Sequence, residues 1–240
     1  MYKASLQAQG KCTPDQYAGK VALLLVSVGK TYHEAEKLAA TVERVNIAGF
    51  GKCIVAVADT LQRHNCIGGS ASEKHLQSQQ EGDQWIARNS SILAKLAMPQ
   101  EIIRWDDLLN RSDYHRYHHM VIHEYYTNPD YRAAIDETIG TFAARSGLAK
   151  GMDHFEETFF KCLFYILEEC PIIMPMWADD GVDFIVYPKP MTAAMSRTRE
   201  IFVEPDRSNS VNWLSIKFKK RSSPGFSSTA LQGASHAAQE

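Results

Sequence analysis

The chain reads as an α/β protein with a central, mostly parallel sheet flanked by helices. Positions 21–28 are almost wholly apolar, as a strand buried on both faces requires. A helical spacing follows, and Lys52–Ala58 then forms a second apolar run. Strand, helix, strand in this order is a βαβ unit, which makes the strands parallel. The length of 240 residues suits one such domain with a buried core.

The first helix is expected over 31–47, with Leu38, Val42 and Val45 on one face and Gly49 and Gly51 ending it. A long polar helix should run over 72–97 and close at Pro99, followed by a short strand at 101–105. Positions 106–126 form a His- and Tyr-rich helical stretch, and Asn128-Pro129-Asp130 starts another helix through Phe142. After a loop at 146–152, Asp153 and Glu156 make a capping box for an apolar helix at 154–169, which Pro171 and Pro175 should end. Phe184–Tyr187 reads as a strand, with further strands at 201–203 and 213–218. The expected organisation is a loosely ordered lead-in at 1–18, a single domain at 19–221 and a disordered Ser/Ala/Gly-rich tail at 222–240.

Composition excludes some function classes. Hydrophobic residues make up 45% and charged residues 22%, ordinary for a soluble globular chain. No apolar run reaches the roughly 18 residues of a membrane span, and MYKASLQAQGK has no signal-peptide core. A cytoplasmic protein without a membrane partner is expected. Cys12, Cys53, Cys66, Cys162 and Cys170 are odd in number and show no close CxxC pair, so reduced thiols are expected. The net charge of −2 does not announce a polyanion partner, although Lys217, Lys219, Lys220 and Arg221 form a basic block.

Several segments could carry chemistry. In LLLVSVGKTY the Gly-Lys-Thr of a P-loop would need a glycine at Leu24, and a nucleophile elbow would need one at Leu25. Two readings of Ser27 remain: a hydroxyl at the carboxyl end of a parallel strand, where doubly wound sheets bind ligands, or a helix N-cap. Tyr165 and Glu169 are spaced i, i+4 and share a helix face. A partly buried Glu169 would have a raised pKa suited to taking a proton from an ammonium, whereas a solvated one would merely end the helix. Tyr187-Pro188 ends a strand, where the phenol is either functional or packing. His115, His119 and His123, with His118 beside them, have metal-ligand spacing on a helix, but Arg116 lies among them and no Cys is near. A solvated face or a contact to RNA phosphate is expected there, and no metal.

Together, SVGKTY at 27–32, VADTLQRHN at 57–65, PDYR at 129–132, YILEECP at 165–171 and VYPKP at 186–190 resemble the cyclodipeptide synthase family, over roughly residues 20–205. The resemblance implies a Rossmann-like domain similar to class I tyrosyl- and tryptophanyl-tRNA synthetase catalytic domains. It also implies an aminoacyltransferase that joins two aminoacyl groups from two charged tRNAs into a cyclic dipeptide, with no cofactor. Ser27 matches the covalent serine, Tyr165 and Glu169 the pair that holds and deprotonates the amine, and Tyr187 the tyrosine near the reacting ester. Lys30 and Pro188 place the chain with the branch that has Tyr-Pro in place of Tyr-His, so no histidine at 188 carries protons.

The first substrate pocket would be lined by Leu25, Val28, Trp105 and Ile172, with Gly29, Lys30 and Pro188 also at the substrate. Branched side chains beside an indole favour a small first residue. The tRNA would be held by Lys74, Arg88 and Lys95 on the long polar helix and by Lys217, Lys219 and Lys220, and the enzyme is expected to be a monomer. A serine hydrolase or acyltransferase on small esters is the alternative, and free amino acid as sole product would reveal it.

Overall fold

The computed structural model describes residues 1–9, 16–145, 147, 151, 153–205 and 211–221. Its centre is a six-stranded sheet. In chain order the elements are β1 (Tyr2–Gln9), β2 (Val21–Ser27), α1 (Ala35–Ala48), β3 (Lys52–Ala58), α2 (Ala71–Leu93), β4 (Gln100–Arg104), α3 (Trp105–Leu109), α4 (Ser112–Thr127), α5 (Pro129–Arg145), α6 (Phe155–Pro171), α7 (Trp177–Asp179), β5 (Phe184–Tyr187), α8 (Ala193–Phe202) and β6 (Asn212–Lys220). The strand order is β1-β6-β5-β2-β3-β4. Every neighbouring pair is parallel except β1 with β6.

The strands from β2 outward run β2, β3, β4 to one side, whereas β5 and β6 add to the other. The topology therefore reverses between β2 and β5, and a crevice opens at the carboxyl ends of strands on either side of such a point. Strand alternation divides the side chains. Leu24, Val26 and Val28 of the β2 segment pack with α1 and α2 residues such as Leu38, Val42, Trp85 and Leu93. Leu23 and Leu25 face the other layer, with Trp105, Ile172, Ile185 and Trp213. A helical cluster from α4, α5, α6 and α8, including Tyr131, Ile135, Ile166 and Leu167, adjoins that second layer.

Several elements depart from the sequence reading. Residues 2–9, expected as a loose lead-in, pair along the whole of β1 with β6, from Tyr2↔Lys220 to Gln9↔Trp213. The 31–47 helix is split: a 3-10 turn at Thr31–His33 precedes α1, because Ala35 has a positive φ of 45° that breaks the helix start. Residues 201–203 are no strand; they close α8, whose Thr192 side chain caps Met195 N–H at 3.2 Å. The Asp153/Glu156 capping box is absent, and α6 begins instead at a left-handed His154 without a side-chain cap. Pro171 does not stop α6: the chain continues through a π turn at Ile172–Met176 into α7. The wider π turn accommodates Pro175, which lacks the N–H of an ordinary helical turn. The expected 222–240 tail lies outside the described residues.

Candidate active site

Ser27 is the last residue of β2, and its strand partner on β3 is Ala58. Its Oγ lies 3.1 Å from the hydroxyl of Tyr187, the last residue of β5, so the two meet across the topological reversal. Gly29, with a φ of +81°, turns the chain away from the strand at an angle that favours glycine. A second phenol, Tyr32, lies 3.0 Å from the Tyr187 hydroxyl.

The opposite wall comes from α6. Tyr165 and Glu169 lie one turn apart and both line the same cavity as Ser27 and Tyr187. That cavity measures about 650 Å³. Leu25, Phe142, Cys162, Ile166, Met195 and Trp213 supply much of its apolar surface, and Lys30, Arg145 and Lys189 add cations. The Tyr165 hydroxyl accepts a hydrogen bond from Gln62 Nε2 at 3.4 Å. Gln62 also donates to Ala58 O at 3.2 Å, and its Oε1 accepts from Asn65 Nδ2 at 3.1 Å, which fixes the amide's orientation.

The adjacent carboxylates of α6 differ in state. Glu168 is buried and clamped by Arg63, by His64 Nε2 at 3.0 Å and by Trp105 Nε1 at 3.0 Å. Burial alone would raise its pKa, but His64 and Arg63 outweigh that and hold it below the usual carboxylate value. The Glu169 side chain, one position round the helix, has no hydrogen bond or ion pair among the described residues, although its backbone carbonyl accepts from Ile172 N–H. Burial, helped by the Glu168 charge, pushes its carboxyl up to about 8. Burial also holds the Tyr165 and Tyr187 phenols well above their ordinary value. The site therefore presents neutral hydroxyls and one carboxyl poised to bind or release a proton near neutral pH.

Comparison with known proteins decides the family. No family model and no curated protein matches the chain. Among solved structures it is similar to a cyclodipeptide synthase from Fluoribacter dumoffii, at 33% identity over 92% of this chain and 100% of that one, with a TM-score of 0.83. This chain is a cyclodipeptide synthase. More distant likenesses share the fold. A cyclodipeptide synthase from Candidatus Glomeribacter gigasporarum bound to Phe-tRNAPhe matches at 19% identity over 88% of this chain and 93% of that one, with a TM-score of 0.65. A Mycobacterium tuberculosis structure, described as demonstrating that cyclodipeptide synthetases are related to type I tRNA synthetases, matches at 15% identity over 90% and 92%, with a TM-score of 0.64.

In this synthase the structure brings Ser27, Tyr165, Glu169 and Tyr187 to one cavity together with Leu25 and Lys30. It places the other expected substrate contacts elsewhere. Val28 points to the α1/α2 side of the sheet, because alternation puts it opposite Ser27. Trp105 and Ile172 are fully buried in the packed layer beneath, where the Trp105 indole serves Glu168. Pro188 is buried and Gly29 exposed, and neither lines the cavity.

The expected tRNA contacts also divide. Arg88 is held by Glu34, with Nη2 2.6 Å from the carboxylate. Lys95 is exposed just past the end of α2, and Lys74 is half-buried on its first turn. Lys217 and Lys219 are exposed on the face of β6 that also carries Trp213 and Ser215, whereas Lys220 alternates to the other face. His115, His119 and His123 are exposed along α4, and Tyr114 stacks on His118 at 5.3 Å. No group of three His, Cys, Asp or Glu side chains among the described residues could hold a metal. No helix of these residues is long and apolar enough to cross a membrane.

Sequence reasoning missed Gln62, Asn65, Tyr32, Arg145 and Lys189. Gln62, Asn65 and Tyr32 sat inside segments already singled out, VADTLQRHN and SVGKTY. Arg145 carries no local signal, because only the packing of α5 beside α6 brings it to the cavity.

Proposed function

We propose that this cyclodipeptide synthase takes two aminoacyl groups from two charged tRNAs and joins them through an ester on Ser27. The observation that carries the reading is the Ser27 Oγ–Tyr187 hydroxyl contact at the strand end, with the Glu169 carboxyl, unpartnered among the described residues, in the same cavity.

An aminoacyl ester is already activated, so its transfer to a serine hydroxyl exchanges one ester for another and demands no further energy source. Ser27 attacks the ester carbon, the carbon–ribose oxygen bond breaks, and the Ser27 proton is relayed through the Tyr187 hydroxyl, so that the tRNA ribose leaves as an alcohol. The ammonium of the bound aminoacyl group lies against Glu169 and Tyr165. Glu169, with a proton affinity suited to neutral pH, takes a proton from it, and the freed amine attacks the second aminoacyl-tRNA. The new terminal amine then attacks the Ser27 ester and closes the ring. Most of the rate comes from holding these groups together. The apolar walls from Leu25, Ile166 and Met195 favour apolar side chains.

The basic surface beside the cavity suits an RNA backbone. Lys30, Arg145 and Lys189 lie on the cavity wall without carboxylate partners among the described residues. Lys217 and Lys219 project from the β6 face continuous with the cavity side, and Lys3 lies directly across from Lys219. The charged tRNAs are drawn from the cytoplasm, and the enzyme works as a monomer.

Incubating the protein with charged tRNA and analysing the products by mass spectrometry tests the reading. A diketopiperazine is expected, with an aminoacyl mass on Ser27 of the wild type and none on Ser27→Ala. Free amino acid as the sole product would instead mark a hydrolase.

A further inference from the structure

The hydroxyls of Ser27, Tyr187 and Tyr32 form an unbroken row, with oxygen separations of 3.1 Å and 3.0 Å. The reaction as described uses the first two. Tyr32 stands on the cavity wall, and its ring is fixed on several sides. It meets His33 edge-on at 4.7 Å and Tyr187 edge-on at 6.0 Å, and the Lys189 ammonium lies 5.8 Å from its centroid. His33 is itself packed on all sides: it is buried, and Trp85 Nε1 donates to its backbone carbonyl at 3.0 Å.

Either oxygen of each contact could donate, and the nucleophilic role proposed for Ser27 gives the row a direction. A phenol has one proton to donate. When Tyr187 accepts the proton of Ser27, it must donate its own to Tyr32. The proton of Tyr32 then cannot return along the row. No other described side chain is hydrogen-bonded to that hydroxyl, so its proton points into the cavity.

We infer that Tyr32 is a catalytic residue that delivers the proton to the departing ribose oxygen when the first aminoacyl group moves to Ser27. This rests on the function proposed above. As the Ser27 Oγ–carbonyl carbon bond forms, the carbon–ribose oxygen bond breaks and its electron pair stays on the ribose oxygen. The Ser27 proton moves to Tyr187, the Tyr187 proton to Tyr32 and the Tyr32 proton to the ribose oxygen. Both phenols end neutral, and the ribose leaves as an alcohol. Burial raises both phenols above their ordinary value, which favours concerted movement over a free phenolate. The charges that act on Tyr32 are Glu169, which opposes phenolate, and Arg145, which favours it.

The test uses single-turnover formation of aminoacyl-Ser27 from charged tRNA, followed by intact-protein mass spectrometry. Tyr32→Phe keeps the ring and removes the hydroxyl. Its rate should fall about 100-fold, a typical general-acid contribution, with little change in the tRNA concentration at half saturation. A rate within about threefold of wild type would overturn the inference. Incorporation of 3-fluorotyrosine at position 32 guards against misfolding of the first variant, because it keeps the hydroxyl and changes only its acidity. A proton donor should then show a changed rate and a changed solvent deuterium isotope effect. Wild-type values for both would overturn the assignment. If wild type itself forms no aminoacyl-Ser27, the failure belongs to the proposed function.

Discussion

At the scale of single residues, the site turns on the difference between two neighbouring carboxylates. Glu169 is pushed up to about 8 by burial and by the Glu168 charge. Its unfolded value is near 4.3. The folded chain therefore holds more protons between these values, and stability falls as pH rises through that window. Glu169→Gln removes the slope. Thermal unfolding should show the variant stabilised at pH 8, by about 2 kcal/mol once water in the cavity is allowed for, and unchanged near pH 4. Its cyclodipeptide yield should fall by about 100-fold or more because the proposed base is gone. In wild type, kcat/KM should climb with pH toward a midpoint near 8, and Glu169→Gln should lack that limb. The spacing of Tyr165 and Glu169 was readable from the sequence, since i, i+4 positions share a face. What could not be read was that Glu168 is the clamped partner, because its ligands Arg63 and Trp105 arrive from distant segments. Specificity follows the same geometry. Leu25→Gly should admit larger aminoacyl groups in product profiling, whereas Val28→Ala, on the far side of the sheet, should leave the product spectrum as it is.

At the scale of elements, the clamp on Glu168 joins the 3-10 turn Thr60–Asn65 to α6. Its depressed pKa contributes stability that is present above the unfolded value and lost as pH falls through the folded one. Arg63→Met leaves a buried carboxylate short of its cation, and chemical denaturation should record a loss of about 3 kcal/mol at neutral pH. The same turn carries Gln62 and Asn65, so activity should fall alongside stability. Helices and buried strands were legible because their apolar periods are strong, as in β2 and β3. The misreadings have local causes. β1 was legible and was passed over as a lead-in: YKASLQAQ alternates Tyr2, Ala4, Leu6 and Ala8, which pack on the core, with polar Lys3, Ser5, Gln7 and Gln9, the pattern of a half-buried edge strand. The apolar Ile-Phe-Val at 201–203 suggested a strand, but the Thr192 cap and the packing of Ile201 and Phe202 on the helical cluster make it the end of a helix. Prolines at 171 and 175 suggested a stop, and the π turn lets the backbone pass both.

At the scale of the whole molecule, the α/β class and the parallel core were legible from one βαβ unit. The reversal between β2 and β5 was not, because strand order depends on contacts between residues far apart in sequence. The surface charge has the same character. Lys217 and Lys219 share the cavity's face of the sheet, whereas Lys220 does not, and only strand alternation together with β6's position reveals it. Binding of charged tRNA should weaken as salt rises, and the double change Lys217→Ala, Lys219→Ala should reduce the slope of log Kd against log salt by about 1–2. Lys220→Ala should alter neither affinity nor slope appreciably.

The position of β5 has a consequence during synthesis. Strands β2, β3 and β4 can assemble while the rest of the chain is still inside the ribosome, but Phe184–Tyr187 comes late. Until it emerges and docks beside β2, Ser27 lacks its phenol partner from 160 residues downstream. A translating ribosome sits among charged tRNAs, the molecules this serine would consume. On the proposed mechanism, late insertion of β5 should keep the nascent chain inert in that setting. A ribosome-held chain arrested before position 184 should acquire no aminoacyl mass on Ser27, and one extended until β6 is free of the tunnel should acquire it.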